Sequence, residues 1–152
     1  MLSLQEISDR LEIQQLITDY ANAIDSRNFD ALDHVFTTDA YIDYRALGGV
    51  DGRYPAIKAW LAQVLPNFPR YTHLVGNIGI ELDGDTARAR TACINPMEVP
   101  SPGGGGSQVM WLALWYVDRF VRTREGWRLS ERIEEPGVQY NVPEHIRTSA
   151  AK

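Results

Sequence analysis

A chain of 152 residues that is 44% hydrophobic and 23% charged has the length and composition of one globular domain with a single core. Its net charge of −5 argues against a nucleic-acid partner, which calls for a basic face. The single cysteine, Cys93, excludes an internal disulfide and fits a reducing cytoplasm.

The opening segment carries Glu6, Asp9 and Glu12, unlike a secretory signal, and no apolar run approaches the ~20 residues of a membrane span. Ser3 followed by Glu6 predicts a capping box at the start of a first helix that ends around 26–28. Within it Ile13, Leu16, Ile17, Tyr20, Ala21 and Ile24 recur at the spacing of one buried helix face. At about 100° per residue, Asp25 falls roughly 40° from Ala21 and 80° from Ile17, on the margin between core and a cavity wall. Phe29–Phe36 predicts a short second helix, Ala40–Ala46 a strand, and Gly48 to Gly52 a loop. Tyr54–Leu65 predicts a third helix, with Pro55 in its first turn and Pro66 ending it.

From Arg70 the hydrophobic period changes from 3.6 to 2. Tyr71–Leu82 and Thr86–Val99 read as strands joined at Asp83-Gly84, the second interrupted near Pro96. Pro100–Ser107 is a glycine-rich hairpin tip. Gln108–Arg122 is apolar on both faces through Val117, which predicts a central strand covered twice. Trp127–Glu135 is the last strand, and Pro136 ends the sheet. The expected organisation is therefore one domain over 1–136 and a tail over 137–152, in an α+β order. A long antiparallel or mixed sheet curves around the N-terminal helices and leaves an internal pocket between sheet and helix.

Of the three histidines, His34 falls on a polar helix face and His145 in the tail. His73 lies in RYTHLVGN, where Tyr71, His73, Val75 and Asn77 alternate onto one strand face. A histidine paired with a carboxylate has one ring nitrogen fixed and the other left to move a proton. Asp25 is the acid best placed for that pairing, and the phenol of Tyr20 faces the same hollow. A core histidine bonded to a backbone carbonyl and a solvated Asp25 are the plainer readings of the same residues. Arg132 alternates with Arg128, opposite Leu129 and Ile133, so it faces the cavity only if a bulge re-aims it. Three scattered histidines offer no metal spacing. GGGG at 103–106 lacks the lysine of a phosphate loop, and Cys93 has no adjacent base.

IQQLITDYANAIDSRNFDALDHVFTTDAYIDY, then a helix, a strand histidine and a closing GWRLSERIEE, resembles the SnoaL-like branch of the nuclear transport factor 2-like superfamily. The resemblance covers roughly residues 5–135. It implies a cone-shaped α+β barrel with an internal hydrophobic pocket, a homodimer or higher homo-oligomer, and neither cofactor nor metal. The Asp25–His73 pair is similar to the catalytic dyad of scytalone dehydratase, the bile-acid 7α-dehydratase and the lindane dehydrochlorinase. Tyr20 and Arg132 match the tyrosine and arginine that accompany that dyad.

The implied catalytic set is Asp25, His73, Tyr20 and Arg132, with Tyr41, Asp43, Asn77, Asn95 and Trp111 as substrate contacts. The chemistry implied is elimination, dehydratase in type, on a small hydrophobic hydroxylated ring. Two departures keep alternatives open. Asn95 stands where the dehydratases carry a group able to transfer a proton. Asp43 lies one residue off the base of ketosteroid isomerases, a shift that flips its face. Proton-shuttling isomerisation, and plain binding of an apolar ligand or partner, are the rival readings.

Overall fold

The computed structural model describes residues 1–150, with side chains through Arg147. Ala151 and Lys152, the end of the expected tail, lie outside the described residues. Ser3 Oγ accepts from the Glu6 N–H at 3.2 Å and Glu6 Oε2 accepts from the Ser3 N–H at 2.7 Å. This reciprocal pair opens helix α1, Leu4–Asp25. All six stripe residues, from Ile13 to Ile24, are buried, each such aliphatic side chain stabilising the fold by roughly 1.5–3 kcal/mol.

Arg27 turns the chain with a left-handed φ of 58°, and a 3-10 helix follows over Phe29–His34. It stops short of the expected Phe36 because strand β1, Phe36–Asp43, already starts there. The run Val35, Thr37, Thr38 favours extended backbone, and the Val35 carbonyl accepts from the Leu129 N–H at 2.9 Å. β2, Asp51–Arg53, is a short strand where a loop is predicted, and helix α2, Tyr54–Val64, carries Pro55 in its first turn. The long strands are β3 (Leu74–Asp83), β4 (Thr86–Pro100), β5 (Ser107–Thr123) and β6 (Gly126–Tyr140). Helix α3, Glu144–Ala150, ends the described chain.

The six strands form one curved, unclosed mixed sheet in the order β2-β1-β6-β5-β4-β3. Only β1 and β6 run parallel. The two prolines expected to break strands do not. The Pro96 carbonyl accepts from the Thr72 N–H at 3.3 Å. A strand residue's N–H would point to that same side, so the missing donor faces an irregular segment rather than a regular ladder. Pro136 pairs with Leu114 beyond Ile133, the last residue of β6 that pairs with β1. There β6 has a neighbour on one side only, so the strand runs on to Tyr140 and absorbs the start of the expected tail.

The helices cover the concave face alone. Asp9 pins α1 there: it accepts from Arg122 at 2.7 and 2.8 Å and from the Trp127 indole at 3.0 Å. The Arg122 guanidinium holds the Asp9 carboxyl well below the usual carboxylate range. Among the described residues no second layer covers the convex face of β4 and β5, and Ile94, Val109 and Trp111 are exposed on it. This corrects the expectation that β5 is covered twice.

Two bulges decide which residues face inward. Between Gly76 and Gly79, β3 has one more residue than β4, and Asn77 takes a left-handed φ of 48°. Inward alternation therefore shifts from Tyr71, His73 and Val75 to Ile78, Ile80 and Leu82. In β6 the pairing passes from Phe120↔Leu129 to Arg119↔Glu131. Ser130 is the extra residue, and the buried set changes from Trp127 and Leu129 to Arg132.

Candidate functional site

Between α1, α2 and the concave face lies a cavity of about 290 Å³. Its wall is mainly apolar, with Leu61, Phe68, Met97 and Leu114 among the lining residues, and Ile146 of α3 contributes at its rim. The polar groups reaching it are Tyr20, Tyr44, His73, Asn95, Tyr116 and Glu134.

His73 precedes β3 instead of standing within it. The end of α1 holds this segment: the Tyr71 hydroxyl donates to the Ile24 carbonyl at 3.0 Å and Arg27 donates to the Phe68 carbonyl at 2.8 Å. Asp25 then contacts His73 twice, Oδ1 to ring Nδ1 at 2.6 Å and Oδ2 to the backbone N–H at 2.8 Å. The His73 side chain is only 6% exposed. With Nδ1–H donating to the carboxylate, the Nε2 lone pair is left toward the cavity. There the Asn95 amide nitrogen sits 3.2 Å from Nε2, while Asn95 Oδ1 is buried without a partner. Turned over, the same amide would accept from a protonated Nε2, so Asn95 can serve either charge state of the ring.

The Tyr20 and Tyr44 hydroxyls bond each other at 2.7 Å. Two hydroxyls sharing one hydrogen bond leave one O–H to donate elsewhere. Burial pushes the Tyr20 phenol up to about 12 and the Tyr44 phenol well above its ordinary value, so both remain neutral donors. Arg132 stacks against the Tyr20 and Tyr116 rings, 4.1 and 4.0 Å from their centroids. Its guanidinium pairs with Asp118 at 2.8 and 2.7 Å, both residues fully buried. Desolvation works against the Arg132 charge, but Asp118 and the two phenols hold its pKa well above the ordinary value. Arg132 thus lies behind the tyrosines and off the cavity wall, a fixed cation that acts through them.

The structure brings Asp25, His73, Tyr20 and Asn95 together. It removes four expected contacts. β1 turns Phe36, Ala40 and Ile42 inward, so Tyr41 faces out and donates to Asp51 at 2.8 Å. Asp43 faces out with it, held by Arg45 at 2.7 Å. Asn77 is exposed because the β3 bulge turns it outward. Trp111 is 47% exposed on the convex face, between its inward-facing neighbours Met110 and Leu112.

Sequence reasoning missed Tyr44, Asp118 and Glu134. Glu134 had a signal: the one-residue shift that turns Arg132 inward carries Glu134 with it. Desolvation raises the Glu134 carboxyl to about 8. Burial likewise pushes the Cys93 thiol up to about 12, which makes it a poor nucleophile. Among the described residues no His, Cys, Asp and Glu side chains cluster as a metal site, and no helix is long and apolar enough to cross a membrane.

Comparison with known proteins adds three findings. A SnoaL-like domain model matches residues 5–133. Uncharacterized proteins of Mycobacterium tuberculosis and Mycobacterium bovis are 62% identical over 134 residues, covering 88% of this chain and 89% of theirs. Among solved structures, an aromatic ring hydroxylase candidate from Novosphingobium aromaticivorans is 26% identical with a TM-score of 0.79, covering 95% of this chain and 97% of its own. A scytalone dehydratase candidate from the same organism is 17% identical with a TM-score of 0.77, over 90% and 89%. A hexachlorocyclohexane dehydrochlorinase is 19% identical with a TM-score of 0.79, over 93% of both. At those last two identities the likeness is one of fold.

Proposed function

The chain belongs to the SnoaL-like domain family, and we propose that it is a cofactor-free lyase that eliminates water from a small hydrophobic ring compound bearing a hydroxyl group. The observation that carries this is the double contact of Asp25 with His73 at the wall of an apolar cavity, 2.6 Å to the ring and 2.8 Å to the backbone. His73 Nε2 removes a proton from the carbon beside a carbonyl. Asp25 holds the tautomer and stabilises the imidazolium, help typically worth about 10²–10⁴ in rate. The free hydrogen of the Tyr20–Tyr44 pair donates to the carbonyl oxygen as negative charge builds there, and the buried Arg132 cation behind Tyr20 favours that charge. Dehydratase and dehydrochlorinase names among the neighbours support elimination as the reaction class. The isomerase reading loses its base, since Asp43 faces Arg45 outside the cavity.

The test is a screen of hydroxylated ring ketones for water loss, run beside His73→Ala. Turnover that vanishes in the variant supports the reading; equal rates in the two proteins would falsify it. One observation favours a binding module instead: Asn95 already occupies Nε2 at 3.2 Å, and a ring held at both nitrogens is a wall as well as a base. Equilibrium binding of the same ring ketones separates the two, because a binding wall retains the compound without turning it over. We propose that the chain pairs with a second copy of itself through the exposed face of Ile94, Val109 and Trp111; a monomer by sedimentation at micromolar concentration removes that assignment.

A further inference from the structure

Elimination of water needs two proton movements, and the groups above account for one. His73 takes the proton from carbon, but the departing hydroxyl must receive one to leave as water. Asn95, beside His73, cannot transfer a proton. Tyr20 and Tyr44 are committed to each other and to the carbonyl, and burial makes both poor acids. The cavity holds two more polar groups that this chemistry does not use, Tyr116 and Glu134, and burial makes the Tyr116 phenol a poor acid as well. We propose that Glu134 supplies the leaving-group proton, a role that rests on the elimination reading above.

Three observations support it. Glu134 reaches the same cavity as His73 and Asn95. It stands on β6 level with Thr91 of β4, with Tyr116 of β5 between them, and Asn95 lies four residues further along β4, so roughly 16 Å separates the two backbones and a ring can lie between acid and base. The Arg132 guanidinium two residues away gives its Nε and Nη2 to Asp118, and among the described residues no ion pair holds Glu134 as a carboxylate.

Its surroundings keep the proton on it. The titratable groups close enough to act on it or to feel its charge are Tyr20 from α1, Tyr44 after β1, Cys93 from β4, Tyr116 from β5, Arg132 on its own strand and, from outside the cavity, Asp43 at the end of β1. Desolvation outweighs the attraction of Arg132, Asp43 adds to it, and the carboxyl is neutral at neutral pH. In the reaction the C–H pair becomes the new C=C bond, and its proton goes to His73 Nε2. The C–O pair leaves on oxygen, which takes the Glu134 proton and departs as water. His73 is left as imidazolium and Glu134 as carboxylate. Passage of one proton between them through solvent restores both.

Two measurements test the assignment. Carboxyl-carbon NMR of protein labelled at glutamate Cδ needs no substrate. A resonance that titrates near 8 and is missing from Glu134→Gln supports the proposal; titration of that resonance in the ordinary carboxylate range overturns it. The second measurement uses a β-hydroxy tetralone, whose loss of water gives a fluorescent naphthol, with wild type, Glu134→Gln, Glu134→Asp and His73→Ala. The expected result is a kcat about 10²-fold lower in Glu134→Gln, loss of the alkaline limb of the pH profile, and partial recovery in Glu134→Asp. If His73→Ala is dead while Glu134→Gln keeps the wild-type kcat and pH profile, this inference fails and the elimination reading stands. If His73→Ala matches wild type, the elimination reading itself fails.

Discussion

Asp25 grips His73 with both carboxylate oxygens, Oδ1 on ring Nδ1 at 2.6 Å and Oδ2 on the His73 backbone N–H at 2.8 Å. One contact sets the tautomer and the other sets where the residue sits, so the acid fixes both the identity and the position of the basic nitrogen. An amide cannot do both. In Asp25→Asn, an NH2 turned toward Nδ1 forces the proton onto Nε2 and removes the basic lone pair. We expect water loss to slow by about 10²–10⁴, with ring-nitrogen NMR reporting the exchanged tautomer. An unchanged tautomer with an unchanged rate refutes the account of Asp25.

Arg132 and Asp118 are both fully buried and pair through two hydrogen bonds. Removing one partner strands the other's charge in the core. Asp118→Ala is therefore expected to destabilise the fold by about 3–5 kcal/mol, and the double change Asp118→Leu with Arg132→Met by far less. Denaturant midpoints measure both. A double variant as unstable as the single one refutes the stranded-charge explanation.

Asp9 gives the protein a dependence on acid. Its folded pKa is lowered by Arg122, so its stabilisation is complete above the ordinary unfolded value of about 4 and fades as pH falls toward the folded one. Stability measured by denaturation between pH 5 and 2 should fall less steeply in Asp9→Asn than in wild type, from a lower starting point. Parallel curves would show that Asp9 titrates normally.

Glu134 works in the opposite direction. An acid whose folded pKa is raised to about 8 keeps its proton where the unfolded chain loses it. The fold thus loses stability as pH rises from about 4.3. Glu134→Gln lacks this cost. The variant should gain on wild type progressively between pH 5 and 8, as thermal midpoints would record, and the difference should level off above that. No gain across the interval contradicts a neutral Glu134.

Gly137 lies where β6 gains a residue on β5, the pairing passing from Leu114↔Pro136 to Leu112↔Gln139, and a Cβ there would come within 2.7 Å of the Ala113 carbonyl oxygen. Backbone on both sides has little room to yield. Gly137→Ala should cost about 1–3 kcal/mol and loosen β6 beyond Pro136, read as faster amide exchange at Val138 and Gln139. Protection equal to wild type would show that the strand end absorbs the methyl group.

Local pattern carried much of this molecule. The capping box at Ser3 and Glu6, the buried stripe of α1 and the placement of Asp25 on its margin depend on neighbours three and four residues apart, and a helix repeats regardless of what it packs against. The pairing of Asp25 with His73 also followed, since one acid at the helix edge and one histidine near the sheet leave few partners.

Strand faces were another matter. Alternation is a running parity, and one inserted residue reverses every position after it. The bulge at Asn77 sent that residue outward, and the bulge at Ser130 brought in Arg132 and Glu134. Neither insertion is visible along one strand, because a bulge is a mismatch between two. Nor does a letter show that Pro96 and Pro136 sit where a missing N–H has no ladder to break. The sequence by itself determined the helix, its acid and the histidine that meets it. Only the tertiary structure decided which charges face the cavity, because that depends on the count of residues between paired strands.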